Sequence, residues 1–433
     1  MRKFLPSLIA AICISGCSAS EVDEGDAGVN APVAVIEAGP MPEADEALYQ
    51  ERFDRYMETV RTSGRLVGYD DVEPVEGAAE FVPLPKSDGP EIAQKIVDQA
   101  VDYAKDRRSS TLIVAMEGKI ALERYFDEFD AQTPLVSKAM AKQLAALAIG
   151  RAITLGDIKS LDQPVADFIT EWGGDPQKSA ITIRHLIENR SGLLPQDFSA
   201  DAPEVLRRAY LHPRHGSVLV HEYPMTHEAG ERFEYSNANS ELLAIIIERA
   251  TNRRYAVFLG AELLSPIDAT GGEIWINRPG GLAHSGCCIL MPAQSWVRLG
   301  MLILQDGEWE GDQLISREFV RNMKTANPLN PHFGTGLYIA GPYVERRGYL
   351  NPSIELGKVL HAEPYLDGDL TLFDGNGNQV MYMIPSANMI VLRMGERPAE
   401  DMEWDNSVLP NLFVQAAIDA GKIAQPTAQR AAN

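Results

Sequence analysis

Cysteine is scarce in this chain of 433 residues: there are four, Cys13, Cys17, Cys287 and Cys288. Cys287 and Cys288 are adjacent and have no distant partner, and none of the four stands in a C-x-x-C spacing. That argues against a disulfide framework and against a thiolate metal centre, and predicts two small apolar side chains packed in a strand. Positive charge is short as well. Lys and Arg total 39 against 61 Asp and Glu, a formal net charge of −22, so the surface repels nucleic acid. A long apolar run is missing: the stretch 4–14 falls well below the roughly 20 residues that span a bilayer. No repeat recurs at solenoid spacing. What remains is ordinary globular composition, 45% hydrophobic and 23% charged, long enough for one large catalytic unit or two packed ones.

The first residues carry their own message. Arg2 and Lys3 precede the short apolar run, which ends Ile14-Ser15-Gly16-Cys17. Small residues before a cysteine look like a bacterial lipobox, so residues 1–16 read as a lipoprotein signal peptide and the Cys17 thiol as the lipid acceptor. Ser18 after it resembles outer-membrane sorting, which places the protein in the bacterial cell envelope, lipid-anchored to the outer membrane and facing the periplasm. Residues 18–45 hold seven acids, no base and three prolines. Residues 17–47 are therefore expected to form an acidic, disordered tether. The folded domain is expected over 48–421, with a loose tail at 422–433.

Within that domain, strand-like segments occur near both ends and helical ones fill the middle. Helical spacing runs through Ile92, Ile96, Val97, Ala100, Val101 and Ala104. Residues 111–116 and 120–125 are β-prone runs joined through Glu117-Gly118. Helices are expected over 139–155, 241–251 and 409–420, and two strands over 380–384 and 389–394, turning at Pro385-Ser386-Ala387-Asn388. The fold class is thus α/β plus all-α: an antiparallel sheet flanked by helices (about 90–138 and 335–421) with an inserted helical lobe (about 139–330). The cleft between the two is the natural place for chemistry.

Three motifs point to that chemistry. In Ser137-Lys138-Ala139-Met140-Ala141-Lys142, positions 139 and 142 are three apart at a helix start and share a face. A hydroxyl at the first and an amine at the second form a nucleophile–base pair, with free N–H groups of the helix N-terminus beside them. Here the motif reads A-x-x-K. Tyr235-Ser236-Asn237 precedes an apolar helix, and a lysine near Tyr235 would favour its phenolate. Phe373-Asp374-Gly375-Asn376-Gly377-Asn378-Gln379 leads into a strand, where glycines let backbone N–H groups approach a ligand.

In this order the motifs resemble the penicillin-recognising serine hydrolases, the class C β-lactamase-like family, over roughly residues 90–420. Residues 137–142 resemble the S-x-x-K helix and Tyr235 with Asn237 the Y-x-N motif. Ile181-Thr182-Ile183-Arg184-His185-Leu186-Ile187 and Ser191-Gly192-Leu193 look like the family's "itirhLL…SGL" signature, in which the histidine is structural. Ser295-Trp296-Val297-Arg298-Leu299-Gly300 looks like its "DwaRfG" helix. Residues 375–379 resemble the G-x-G-G-Q form typical of the 6-aminohexanoate-dimer hydrolase and esterase branch.

The resemblance implies a β-lactamase/transpeptidase-like fold and acyl transfer on an ester or amide, with a small-molecule or peptide-like substrate. It implies catalytic roles for position 139, Lys142 and Tyr235. Substrate or oxyanion roles fall to Asn237, Gly375, Asn376, Gly377 and Gln379. Neither a metal nor an organic cofactor is implied, and oligomeric state is left open. Two departures matter. Ala139 stands where the family has its serine, in otherwise complete machinery, which implies an engineered or recently lost nucleophile; the other reading is a non-catalytic lipoprotein that binds a ligand or cell-wall fragment. Phe373 and Asp374 stand where β-lactamases carry a lysine and threonine that hold the substrate carboxylate, so a neutral or cationic ester or amide suits the site better than a β-lactam.

Overall fold

In the computed structural model, which describes residues 32–62, 71–89, 91–199, 201–351, 357–399 and 401–431, the two ends of the chain build one sheet. Its six antiparallel strands lie in the order Lys119–Tyr125, Ser109–Met116, Met389–Gly395, Gln379–Ile384, Thr371–Gly375, Tyr338–Ile339. Val391 faces Val114 on one side and Tyr382 on the other, so the late hairpin is welded to the early one. Successive side chains point to opposite faces. Leu112, Val114, Leu372, Tyr382 and Val391 therefore pack under the Gln94–Asp106 and Val408–Asp419 helices, with Ala100, Ala104, Leu409 and Phe413. Ile113, Ala115, Phe373, Met381, Ile390 and Leu392 turn the other way, onto Trp296 of the Ala293–Leu304 helix and the central core.

The Ala141–Leu155 helix runs through that core and is buried over nearly its whole length. Its many alanine, leucine and isoleucine side chains favour this, and it comes toward the surface only near its end, at Arg151 and Ile153–Leu155. It stops at Gly156, whose φ of 88° is the left-handed cap that glycine adopts without steric cost. The Asn237–Thr251 helix packs against it.

Four expectations need correction. The middle of the chain is not purely helical: Gly272–Ile276 and Ile289–Met291 join Asp71–Val75 and Leu135–Val136 in a four-stranded sheet. Pairing partners as far apart in the chain as Asp71 and Ile276 leave no mark on local periodicity. The stretch read as a disordered tether is packed and partly helical within its described part, residues 32–47. A helix starts at Glu43, Ala34 N–H donates to Glu248 Oε2 at 2.6 Å, and Glu37 pairs with Arg278 at 3.0 Å and with Arg214. Acid-rich composition implies self-repulsion only where no basic surface is near, and here Arg208, Arg214 and Arg278 supply one. The tail is docked as well: Gln429 N–H donates to Tyr365 O at 2.9 Å and its side chain to Ala340 O at 2.7 Å. Cys287 and Cys288 form a disulfide with each other rather than standing as free thiols. Among the described residues no helix is long and apolar enough to cross a membrane; Cys17 and residues 1–16 lie outside the described residues.

Candidate active site

The turn around residue 139 comes from Lys138–Met140, one 3₁₀ turn that feeds the Ala141–Leu155 helix. Ala139 and Lys142 thus share a helix entrance. Ser137 is engaged elsewhere: it is fully buried, its Oγ donates to Lys138 O at 3.1 Å, and it accepts from Ile289 N–H at 3.2 Å. The Thr371–Gly375 strand ends against this turn. A Cβ on Gly375 would stand 3.0 Å from Ser137 O and 3.2 Å from Ala139 N, so a side chain there would press the strand away from the turn.

Lys142 reaches across to the second motif. Its Nζ donates to Asn237 Oδ1 at 2.9 Å and lies 5.1 Å from the centre of the Tyr235 ring. Tyr235 is clamped through its backbone, donating to Leu350 O at 2.9 Å and accepting from Gln196 N–H at 2.8 Å. Lys142, Tyr235 and Asp374 line one cleft together with Asn189, Ser240 and Tyr338. The three motifs therefore meet.

Burial sets the proton chemistry of the cleft. It pushes the Lys142 ammonium down to about 8, against the pull of the nearby Glu241 carboxylate. It pushes the Tyr235 phenol well above its ordinary value, helped by Tyr338, Tyr349, Asp374 and Glu241. The expected phenolate is thus not favoured: desolvation outweighs the lysine, and Tyr235 is a neutral hydroxyl. Lys142 is the group whose amine form comes within reach near neutral pH.

The third motif divides in two. Gly375 touches the 139 turn and Asp374 lines the cleft, while the side chains of the hairpin tip that follows are held by their own neighbours. Gln379 holds its amide on the backbone of Gly395, accepting from Gly395 N–H at 2.9 Å. Arg393 grips Gly377 O at 2.7 Å, and Asn376 Oδ1 accepts from Arg397 at 2.9 Å. The side chains of Asn376 and Gln379 brace the tip, so any oxyanion contact from residue 376 would come from its backbone N–H. The aspartate is also different in context. Arg347 Nη2 donates to Asp374 Oδ2 at 2.5 Å, and the guanidinium is 2% exposed. The pair presents no net charge to the cleft, so the repulsion expected of a bare carboxylate is absent. His185 caps the Ile183–Ile187 helix reciprocally with Thr182, a structural duty.

Two functional-site residues were not singled out by sequence reasoning. Arg347 offered no local signal. Glu241 did: it lies one helical turn after Asn237, and positions i and i+4 share a face. It is 1% exposed. A Cβ on Gly286 would sit 2.8 Å from Glu241 Oε1 and 2.9 Å from Lys142 Nζ, so the carboxyl and the amine flank the same bare glycine. Behind Glu241, His215 and His284 bring ring nitrogens within 4.8 Å of its carboxylate oxygens and of each other. Two histidines and a glutamate are a zinc-like donor set, but these rings stack face to face, 3.9 Å apart and 9° from parallel. In-plane lone pairs of parallel rings do not converge on one ion, and Lys142 adds like charge, so the residues fit a metal poorly.

Comparison with known proteins agrees with this architecture. The Beta-lactamase family profile matches residues 93–401, and the chain belongs to that family. It is 24% identical over 192 residues to Protein flp of Staphylococcus aureus (strain NCTC 8325 / PS 47), covering 41% of this chain and 38% of that protein. It is 24% identical over 244 residues to the 6-aminohexanoate-dimer hydrolase of Paenarthrobacter ureafaciens, covering 54% of this chain and 59% of that one. The matches thus span well under two thirds of each relative's length. Among solved structures, a Bacillus anthracis protein assigned as a 6-aminohexanoate-dimer hydrolase superimposes with a TM-score of 0.63 at 18% identity, covering 86% of this chain and 96% of that one. The β-lactamase/transpeptidase-like fold follows, mixed α/β with an antiparallel sheet and helices.

Proposed function

We propose that the cleft is that of a serine hydrolase acting by acyl transfer on small esters or amides, held inactive in this chain by alanine at its nucleophile position. The observation that carries the reading is the Lys142 amine, bonded to Asn237, beside Tyr235, at the helix entrance where Gly375 meets residue 139. With serine at 139, Oγ attacks the carbonyl carbon while its proton passes to the neutral Lys142 amine. Oγ–carbon bonding forms the acyl enzyme as the carbonyl–leaving-group bond breaks, and Lys142 returns the proton to the leaving group, with Tyr235 as the neutral hydroxyl that relays it. Water repeats the sequence to release the acid. The backbone N–H groups at 139 and near 376 are the oxyanion donors in this reading. Asn237 orients Lys142.

The test is the Ala139→Ser variant. It should gain hydrolysis of a p-nitrophenyl ester and covalent labelling by a fluorophosphonate, neither of which is expected of the parent. A folded serine variant inert to both sinks the enzyme reading. Ala139 itself favours the second reading in that case: a ligand-binding relative of the family, whose cleft would take a cell-wall fragment or similar acyl compound. We also propose that Cys17 carries a lipid that anchors the protein to the outer membrane. The motif Ile14-Ser15-Gly16-Cys17 supports this, and a Cys17→Ser variant that fractionates and migrates like the parent would refute it.

A further inference from the structure

We propose that Glu241 is a positioning residue for Lys142: its buried carboxyl group shares one proton with the Lys142 amine, and so sets the pH above which that amine accepts a proton from a hydroxyl at position 139. The inference rests on the acyl-transfer reading for its purpose, though not for its test.

Asn237 and Glu241 share a face of the Asn237–Thr251 helix, and Asn237 already holds Lys142 Nζ at 2.9 Å. Gly286 is the only residue type that fits between the two charged ends, since any Cβ there would enter the contact distance of both. The Glu241 carboxyl is otherwise poorly served. The Ser285 and Gly286 N–H groups approach it without forming a hydrogen bond of good geometry, and neither carboxylate oxygen has a hydrogen-bond partner among the described residues. A buried carboxylate in that position is strongly disfavoured unless a cation or a proton joins it.

The neighbours decide which. Lys142 faces Glu241 across Gly286, His284 Nδ1 lies 3.4 Å from Glu241 Oε2 and His215 closes the cluster; Tyr235 and Tyr255 also feel the carboxyl's charge, while Arg52, His212 and Arg278 act on the two histidines. Burial holds His215 and His284 neutral, with His284 pushed down to about 3, so neither supplies a cation. Lys142 is left as the cation beside the carboxyl. Burial lifts Glu241, against the pull first of His215 and then of Lys142, and it lowers Lys142, against the pull of Glu241. The carboxylate–ammonium and acid–amine forms differ only in where one proton sits, and desolvation brings them close in energy. The amine form is the one that can deprotonate a hydroxyl. In the acyl-transfer cycle the proton taken by Lys142 goes back to the leaving group, so Glu241 is unchanged at the end of a turnover.

The experiment uses the chain as it stands, with Ala139. Lys142 is followed by NMR of 13Cε-lysine across pH, its signal identified by its loss in Lys142→Arg. In Glu241→Gln the Lys142 midpoint should fall by about one pH unit or more, because the carboxylate no longer stabilises the ammonium. Glu241→Asp should restore most of the shift. An unchanged midpoint in Glu241→Gln overturns the proposal. If that variant does not fold, the reciprocal measurement decides: in Lys142→Met the Glu241 carboxyl, followed by 13C-glutamate, should titrate at higher pH than in the parent, and an unchanged Glu241 midpoint overturns the proposal equally. A Lys142 midpoint that moves with added zinc and returns with a chelator assigns the cluster to a metal instead, and also overturns it. If Ala139→Ser hydrolyses esters, Glu241→Gln should move the acid limb of its kcat/KM profile down by the same interval. If Ala139→Ser is inert, the NMR result still stands or falls alone.

Discussion

Two buried cation–carboxylate pairs flank the cleft, and they are built differently. Arg347 and Asp374 are in direct contact at 2.5 Å. Burial pulls the guanidinium down, but Asp374, Tyr338 and Tyr365 outweigh it, and Arg347 ends above its ordinary value. An arginine so placed never releases its proton, and the pair is a fixed strut between the Thr371–Gly375 strand and the neighbouring Arg346–Gly348 strand. Lys142 and Glu241 flank Gly286 instead, with Lys142 held by Asn237 and lowered by burial to about 8. A lysine can give up its proton there. The same two charges thus make structure on one wall and proton chemistry on the other, and the cation type and directness of contact make the difference.

The largest effect expected is on the proton-handling wall. Ala139→Ser should raise ester hydrolysis by about a thousandfold or more over the parent, since removal of a nucleophile commonly costs at least that much. Adding Lys142→Ala or Tyr235→Phe should remove most of the gain, whereas a variant of the strut that folds should keep it; steady-state rates with a p-nitrophenyl ester decide. Next comes the strut itself. Arg347→Met should destabilise the fold by about 3–5 kcal/mol in urea unfolding, because it strands a buried carboxylate, and Arg347→Met with Asp374→Leu should recover most of the loss. If single and double variants lose equally, the pair is not the strut described.

Smaller still is Ser137→Ala. It leaves the Ile289 N–H without its acceptor, a loss of about 1–3 kcal/mol. In the Ala139→Ser background it should leave ester turnover per folded molecule nearly unchanged, and a collapse of turnover would make Ser137 part of the chemistry. The last effect is a slope rather than a fixed loss. The folded Glu241 carboxyl is lifted by burial from its ordinary 4.5 to about 7, so the folded state binds the proton more tightly than the unfolded one. The stability this gives is present in full below 4.5 and is lost as pH rises toward 7. Parent stability relative to Glu241→Gln should therefore fall across that window and be flat on either side; equal slopes for the two would remove the raised carboxyl from the account.

Much of the fold was legible because its signals are local. Expected strands at 111–116, 120–125, 380–384 and 389–394 appear as Ser109–Met116, Lys119–Tyr125, Gln379–Ile384 and Met389–Gly395, each grown by a residue or two where ladder pairing extends past the apolar run. The helix expected to begin at Glu241 begins at Asn237 instead. Its first residues include the polar Asn237, Asn239, Ser240 and Glu241, of which the last three are buried. A polar turn inside a protein has the same composition as one in water.

The sequence by itself determined that position 139 is a methyl group, that Lys142 follows it by one helical turn, and that Tyr235 and Asn237 come next in the order this family uses. Those are properties of spacing and side-chain chemistry, and no folding changes them. Only the tertiary structure decided what the charges do. It put Arg347 on Asp374, which cancelled the expected repulsion; it seated Glu241 across Gly286 from Lys142; it turned Gln379 onto the Gly395 backbone; and it drew residues 32–47 onto basic side chains from the middle of the chain. A group's charge state depends on its distance from water and from other charges, and those distances run through space between residues as far apart in the chain as Glu37 and Arg278.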